Sequence, residues 1–308
     1  MGKVRTRILI GAALTAGTIG LLLADVALDA WTGLRLAPAF WALLAGSLLT
    51  GCLELFRMLR GRGYPCRPII GTLFVGLLIA AVFVETQFEP RLGPWLHDRG
   101  LELYLLLIVG LVFTTFVVEI VLVERTGRDP PRALASVGWT LIVVLTVGLL
   151  GVFLAKIRFL RLGAGPAEHR PADGFLYLLL TLAVVKGGDI GAYTVGSSLG
   201  RHKLIPTLSP AKTVEGVFGA MALGIALALF IGLLWGRFTW PEMLLFGGAV
   251  SVSGVLGDLA ESLMKRACGV KDSGPIPGFG GALDILDSLL AAGPVAYLLL
   301  TLQRPMPS

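Results

Sequence analysis

Residues 214–235 read VEGVFGAMALGIALALFIGLLW. Beyond Glu215 the stretch is uncharged to its end, and about 20 apolar residues wound as a helix are what a roughly 30 Å hydrocarbon core requires. A helix closes its backbone hydrogen bonds within itself, whereas an open sheet leaves edge groups unmet in lipid, so the stretch reads as a membrane helix. Along it Gly216, Ala220, Gly224 and Ala228 recur every four residues, a stripe on which another helix can pack closely. The stripe signals packing and carries no chemistry.

Scanning outward for stretches of the same kind yields Ile8–Val26, Leu36–Phe56, Ile69–Val84, Leu101–Val123, Ala133–Ala155, Phe175–Val195, Met243–Leu263 and Gly281–Leu302. The fold class is therefore all-α, a polytopic integral membrane protein with about nine transmembrane helices. The whole composition agrees. Of the 308 residues 55% are apolar and 15% charged, against about 25% charged in a soluble domain, and the mean hydropathy is +0.83. A sizeable soluble domain or disordered tail is excluded. With no repeat and no linker, residues 1–308 are expected to form one membrane domain, with 1–173 mainly scaffold and, on the charged residues described below, 174–308 the catalytic spans and cytoplasmic loops.

The formal charge is +6, from 26 Lys and Arg against 20 Asp and Glu. The cations lie between apolar runs, so anionic membrane lipids rather than nucleic acid are the expected partners. They concentrate in alternate connections, at Lys3–Arg7, Arg57–Arg67, Arg125–Arg132, Arg201–Lys212 and Lys265–Lys271. By the positive-inside rule this side, with the N-terminus, is expected to be cytoplasmic, and the expected location of such a multi-pass chain is the cell (inner) membrane. The basic segment from Lys156 to Arg170 falls on the other side and runs against the rule. Cys52, Cys66 and Cys268 have no metal-binding or disulfide spacing and read as small core residues. The scattered His97, His169 and His202 make no zinc motif, so a metal would be held by oxygen.

Ionisable residues inside spans are costly and mark functional sites by default. Glu54 and Glu119 sit near the cytoplasmic ends of their helices and read as structural. The last four spans hold Lys186 with Asp189, Asp258 with Glu261, and Asp284 with Asp287, each pair spaced i, i+3 and so on one helical face. Both acidic pairs that follow Asp189 approach one cytoplasmic loop, Lys265–Gly281, KRACGVKDSGPIPGFGG. Glycines let backbone N–H groups crowd a phosphate and lysines neutralise it, while carboxylates suit Mg²⁺ carrying a polyphosphate. A second cytoplasmic segment, GSSLGRHKLIPTLSPAK from Gly196 to Lys212, contains Ser209–Pro210, which reads as the N-cap and first residue of a helix.

At these residues the chain resembles the phosphatidate cytidylyltransferases, or CDP-diacylglycerol synthases. Their C-terminal signature has the form S-x-x-K-R-x4-K-D-x-G, a P-G-H-G-G turn and D-R-x-D. Ser262, Lys265, Arg266, Lys271, Asp272 and Gly274 match the first part, Pro277, Gly278, Gly280 and Gly281 the turn, and Asp284 and Asp287 the end. Gly257–Glu261, Asp189–Tyr193 and Leu208–Gly216 resemble further elements of that family. Three departures stand out: Phe279 replaces the turn's His, Ile285 replaces Arg, and the stretch between Gly274 and Pro277 is one residue short.

The resemblance implies that CTP and phosphatidic acid react to give CDP-diacylglycerol and pyrophosphate for phospholipid biosynthesis. It implies Mg²⁺ on Asp258 and Asp284 with Asp287 in support, and leaves open a monovalent cation beside it. Lys265, Arg266, Lys271 and Asp272 are the expected catalytic group with Asp287. Asp189, Ser209, Lys212, Ser262, Gly280 and Gly281 are the expected substrate contacts. A homodimer stays open. A lipid phosphate ionises near pH 6 as other phosphate monoesters do and needs no general base, so the missing His is compatible with activity. Three rivals remain: a CTP-dependent polyprenol or phytol kinase, a transporter with buried carboxylates, and an inactive paralogue.

Overall fold

Proline opens four of the helices, because it lacks the N–H that a first helical turn leaves unpaired and has its φ preset. The computed structural model describes residues 17–18, 20–32, 36–92, 94–161, 173–235, 238–274 and 280–302, and their side chains except at 89–92 and 94–101. Helix α1 is Pro38–Gly61, α2 Pro68–Leu92 and α3 Pro94–Thr126. Helix α4 is Pro130–Arg158, with Val144–Leu149 wound as a π-helical turn. Then come α5 (Asp173–Leu199), a hairpin of β1 (Lys203–Ile205) and β2 (Ser209–Thr213), α6 (Val214–Trp235), α7 (Trp240–Ala267) and α8 (Ala282–Leu302).

Among the described residues, eight helices are long and apolar enough to cross a membrane. They coincide with eight of the nine expected spans, and the chain is a helical membrane protein. The remaining span, Ile8–Val26, lies largely outside the described residues; its described part is helical and runs on to residue 32. Lipid explains what would otherwise be a misfolded surface. On α3, Leu106, Phe113 and Ile120 are each at least 63% exposed and lie seven residues apart, on an outward face.

One local expectation is corrected. No helix begins at Ser209–Pro210: Ser209 opens β2, where it pairs with Ile205 across the hairpin, and the chain stays extended from there to Thr213. The capping passes to Thr213, whose Oγ1 accepts the Gly216 N–H at 3.1 Å just inside α6.

The last four helices meet backbone to backbone. Gly191 of α5 and Gly219 of α6 each lie where a Cβ would collide with the other's carbonyl. The stripe of Gly216, Ala220, Gly224 and Ala228 is buried throughout, and Gly224 abuts Ser251 of α7. Gly257 of α7 touches the Asp287 carbonyl of α8. These approaches place the polar faces of α5, α7 and α8 against one another.

The first half is tied differently, by buried charge. Arg158, at the end of α4, pairs with Asp29 at 3.2 Å, both side chains 1% exposed. Asp29 Oδ1 also accepts the Ala37 N–H at 3.1 Å, and Asp25 accepts those of Ala39 and Phe40 at 3.0 and 2.7 Å. Helix α1 is therefore capped by two carboxylates of the preceding helix. Lys156 pairs with Glu85 at 2.7 Å, and the Tyr104 hydroxyl donates to the same carboxylate. Glu119 takes Arg67 at 2.7 and 2.9 Å and Arg128 at 3.3 Å. All three cysteines are free and buried, and burial pushes the Cys66 and Cys268 thiols up from their usual range.

Candidate active site

Between α5, the hairpin, α6, α7 and α8 lies a cavity of about 470 Å³. Asp189, Ser209, Lys212, Asp258, Asp284 and Asp287, all expected from the sequence, line it, and so do Lys186 and Ser288. Each arrives for a local reason. Lys186 and Asp189 share one face of α5 and pair at 3.1 Å. The same Lys186 ammonium donates to the Ile285 carbonyl at 3.4 Å, and Ser288 donates to Asp189 at 3.4 Å, which fastens α5 to α8. Lys212 leaves the hairpin and meets Asp258 at 2.8 Å. Ser262, one turn on, donates to the other Asp258 oxygen at 3.5 Å.

Two acidic groupings differ in what surrounds them. Asp258, Glu261 and Asp287 each offer an oxygen, all within 4.8 Å of one another. Glu261 is 1% exposed, and neither of its oxygens has a hydrogen-bond partner, although Lys265 lies 2.6 Å from Oε2. Lys265 and Lys212 offset part of this charge, and three like charges gathered in a membrane interior favour a further cation. The donor set, three carboxylate oxygens on two helices, is that of a hard divalent ion and fits Mg²⁺. Asp284 is instead enclosed by donors. Its Oδ1 takes Lys265 at 2.6 Å, and its Oδ2 takes the Ser273 N–H at 2.9 Å, the Ser273 hydroxyl at 2.6 Å and the Gly281 N–H at 2.8 Å.

Lys265 thus bridges Glu261 and Asp284. Arg266 is exposed and reaches the carbonyls of Leu208 at 3.4 Å and Val270 at 3.1 Å, holding the hairpin turn against the loop after α7. Lys271 and Asp272 are exposed on that loop and do not line the cavity. Gly280 adopts φ +75°, open to glycine at no steric cost, and its α-carbon faces the Asp284 carboxylate with no room for a Cβ. Pro277, Gly278 and Phe279, with the shortened stretch beside them, lie outside the described residues.

Residues not expected at the site are Glu54 and Ser273. Glu54 of α1 accepts the Ser273 hydroxyl at 3.1 Å and the N–H groups of Ala282 and Leu283 at 3.1 and 3.0 Å. A charge near the end of a span was the available signal, but its partner, more than 200 residues away, was not.

Residues 15–303 match the model of the cytidylyltransferase family. The chain is 31% identical to a phosphatidate cytidylyltransferase of Mycobacterium bovis over 297 residues, 94% of this chain and 88% of that protein. It is 33% identical to one of Bacillus subtilis over 256 residues, 82% and 86% of the two chains. An uncharacterized Escherichia coli protein, YnbB, is 42% identical over 125 residues, 40% of this chain and 42% of its own.

Proposed function

Because the chain belongs to the cytidylyltransferase family, we propose that it transfers the cytidylyl group of CTP to phosphatidic acid, forming CDP-diacylglycerol and releasing pyrophosphate. The observation that carries this is the cavity in which carboxylates and ammonium groups from α5, α7, α8 and the hairpin converge within the membrane-spanning bundle. Such a cavity can admit a polyanionic nucleotide while the diacyl chains stay in lipid.

The lipid phosphate attacks the α-phosphorus of CTP. One P–O bond forms there as the bond to the departing pyrophosphate breaks, and negative charge gathers on the phosphoryl and pyrophosphate oxygens. Catalysis is then positioning and electrostatics. Lys265 and Arg266 offset the charge of the triphosphate and leaving group, while Lys271 and Asp272 sit exposed on the loop outside the cavity. Ser209 and Lys212 take the lipid headgroup or part of the nucleotide and Asp189 and Ser262 orient those groups, while Gly280 and Gly281, expected to face phosphate, instead make room for the Asp284 and Glu54 carboxylates. Asp258, Glu261 and Asp287 would hold Mg²⁺, in place of the expected pair Asp258 and Asp284, because both Asp284 oxygens are already taken by donors of the loop and Lys265. When bound, the ion supplies Lewis-acid stabilisation of the phosphoryl charge.

The test is purified protein with labelled CTP and Mg²⁺. A lipid-soluble CDP product is expected with phosphatidic acid and none with diacylglycerol or a polyprenol. Product from the alcohols, with CDP released, would replace this reading by a kinase.

The hairpin and the loop after α7 face the cytoplasm in this reading, in the cell's inner membrane, with the N-terminus on the same side. In a variant lacking the native cysteines, an impermeant thiol reagent is expected to label Lys203→Cys only from the cytoplasm and Trp240→Cys only from outside. Labelling of position 203 from outside would invert the topology.

A further inference from the structure

The segment between α7 and α8 carries the loop cations and leads into Asp284, and its two ends are both held by the first half of the chain. At one end the Tyr64 hydroxyl, in the turn after α1, donates to the Ala267 carbonyl at 3.3 Å. At the other end Glu54 meets Ser273, Ala282 and Leu283. The two helices are in contact here: the backbone of Leu283 lies 3.7 Å from where a Cβ at Gly51 would stand, one turn before Glu54 on the same face of α1. A Cβ at Gly274 or Gly281 would in turn strike the Glu54 carboxylate. Glu54 is 5% exposed.

We propose that Glu54 is a positioning residue of the transfer reaction: an acceptor from α1 that fixes the start of α8 and, through Ser273, the orientation of Asp284. Ser273 is the link, since its single hydroxyl proton is shared between Asp284 Oδ2 at 2.6 Å and Glu54 Oε2 at 3.1 Å. Only a carboxylate serves here. It offers acceptors alone, and both of its oxygens face donors: Oε1 the Ala282 N–H, Oε2 the Leu283 N–H and the Ser273 hydroxyl. Glutamine has the same length, yet whichever oxygen it replaces, an NH₂ then faces an N–H. The released end of α8 carries Asp284 with it, and Lys265, bound to Asp284 at 2.6 Å, loses its fixed place.

The test compares Glu54→Gln and Glu54→Asp with the wild-type protein in lipid nanodiscs. Without substrate, amide hydrogen exchange followed by mass spectrometry reads the clasp directly, because exchange reports local opening. Amides at 281–284 are expected to exchange at least about tenfold faster in Glu54→Gln, with those of α7 at 247–256 unchanged. The activity arm rests on the cytidylyl-transfer reading only for its assay and uses whichever lipid product the wild-type protein forms. There kcat is expected to fall at least about tenfold, with KM for the nucleotide within about threefold and thermal midpoint within a few degrees. Glu54→Asp, which keeps both acceptors, falls between. Unaltered exchange in Glu54→Gln would overturn the clasp, and faster exchange with wild-type kcat would overturn its role in the reaction. A kcat loss matched by an equal loss of folded protein would reduce Glu54 to a structural residue.

Discussion

Asp258→Asn is expected to lower turnover by about three orders of magnitude, ~4 kcal/mol of transition-state stabilisation, while the protein inserts and purifies as before. The size follows from the position. Asp258 is the one carboxylate that both joins the Glu261–Asp287 grouping and pairs with the hairpin's Lys212. Asparagine keeps the shape and one acceptor, so the helix contacts at neighbouring Gly257 survive, but the charge is gone. The group of anions then binds a divalent ion less well, and Lys212 is left without its partner. Asp284→Asn should also fail, for a different reason: Asp284 receives four donors, and weakening them frees the loop. Kinetics alone would not separate the two variants. Hydrogen exchange at 281–284 should, rising in Asp284→Asn and staying at the wild-type level in Asp258→Asn. Turnover within tenfold of wild type for Asp258→Asn would remove that residue from the chemistry.

The largest loss of stability is expected from Arg158→Met. Its guanidinium and Asp29 are each 1% exposed, and removing one partner of a buried ion pair leaves a charge with nothing to offset it, at a cost of about 3–5 kcal/mol. Asp29 also accepts the Ala37 N–H, where the chain turns with φ +40° into α1, so the damage spreads to the start of that helix. The double variant Arg158→Met with Asp29→Asn removes both charges and keeps the acceptor for Ala37. It should recover most of the lost stability, because replacing a whole buried pair is often near neutral. Thermal midpoints in detergent decide the matter. A single variant as stable as wild type would show the pair to be dispensable, and a double variant no better than the single would show that charge is not the cause.

What could be read beforehand divides along sequence distance. Span positions are legible because hydrophobicity over some 20 residues is a local property. So are the pairs Lys186–Asp189 and Asp258–Glu261, because i, i+3 spacing puts both members on one helical face. The network of Asp25, Asp29 and Arg158 is not legible, since its halves lie 129 residues apart and each alone looks like a charge near a span end. That network also bears on why the Lys156–Arg170 segment runs against the charge rule. Lys156 and Arg158 are matched by Glu85 and Asp29 and so are poor indicators of topology. Ser209–Pro210 has helix-start chemistry in isolation, and only pairing with Ile205 makes it a strand, whereas the start of α6 at Val214 is where hydrophobicity puts the span. Glu54 reads as structural until Ser273 and Leu283 are brought to it by the fold.

The glycine contacts among α5, α6, α7 and α8 also set how the protein meets bilayers of different thickness. Helix α6 has 22 residues, about 33 Å at 1.5 Å per residue, close to the hydrocarbon core it must match. A helix that packs through long side chains can tilt by letting those side chains slide. Where Gly191 meets Gly219 and Gly257 meets the Asp287 carbonyl, backbones touch and no such give exists. The four helices must therefore tilt together, so a thinner or thicker membrane rotates the quartet as a block without shearing Asp258 past Asp287. Mismatch is taken up at the lipid boundary, by tilt of the whole or by local thinning, and the spacing of the carboxylates is insulated from the membrane's composition.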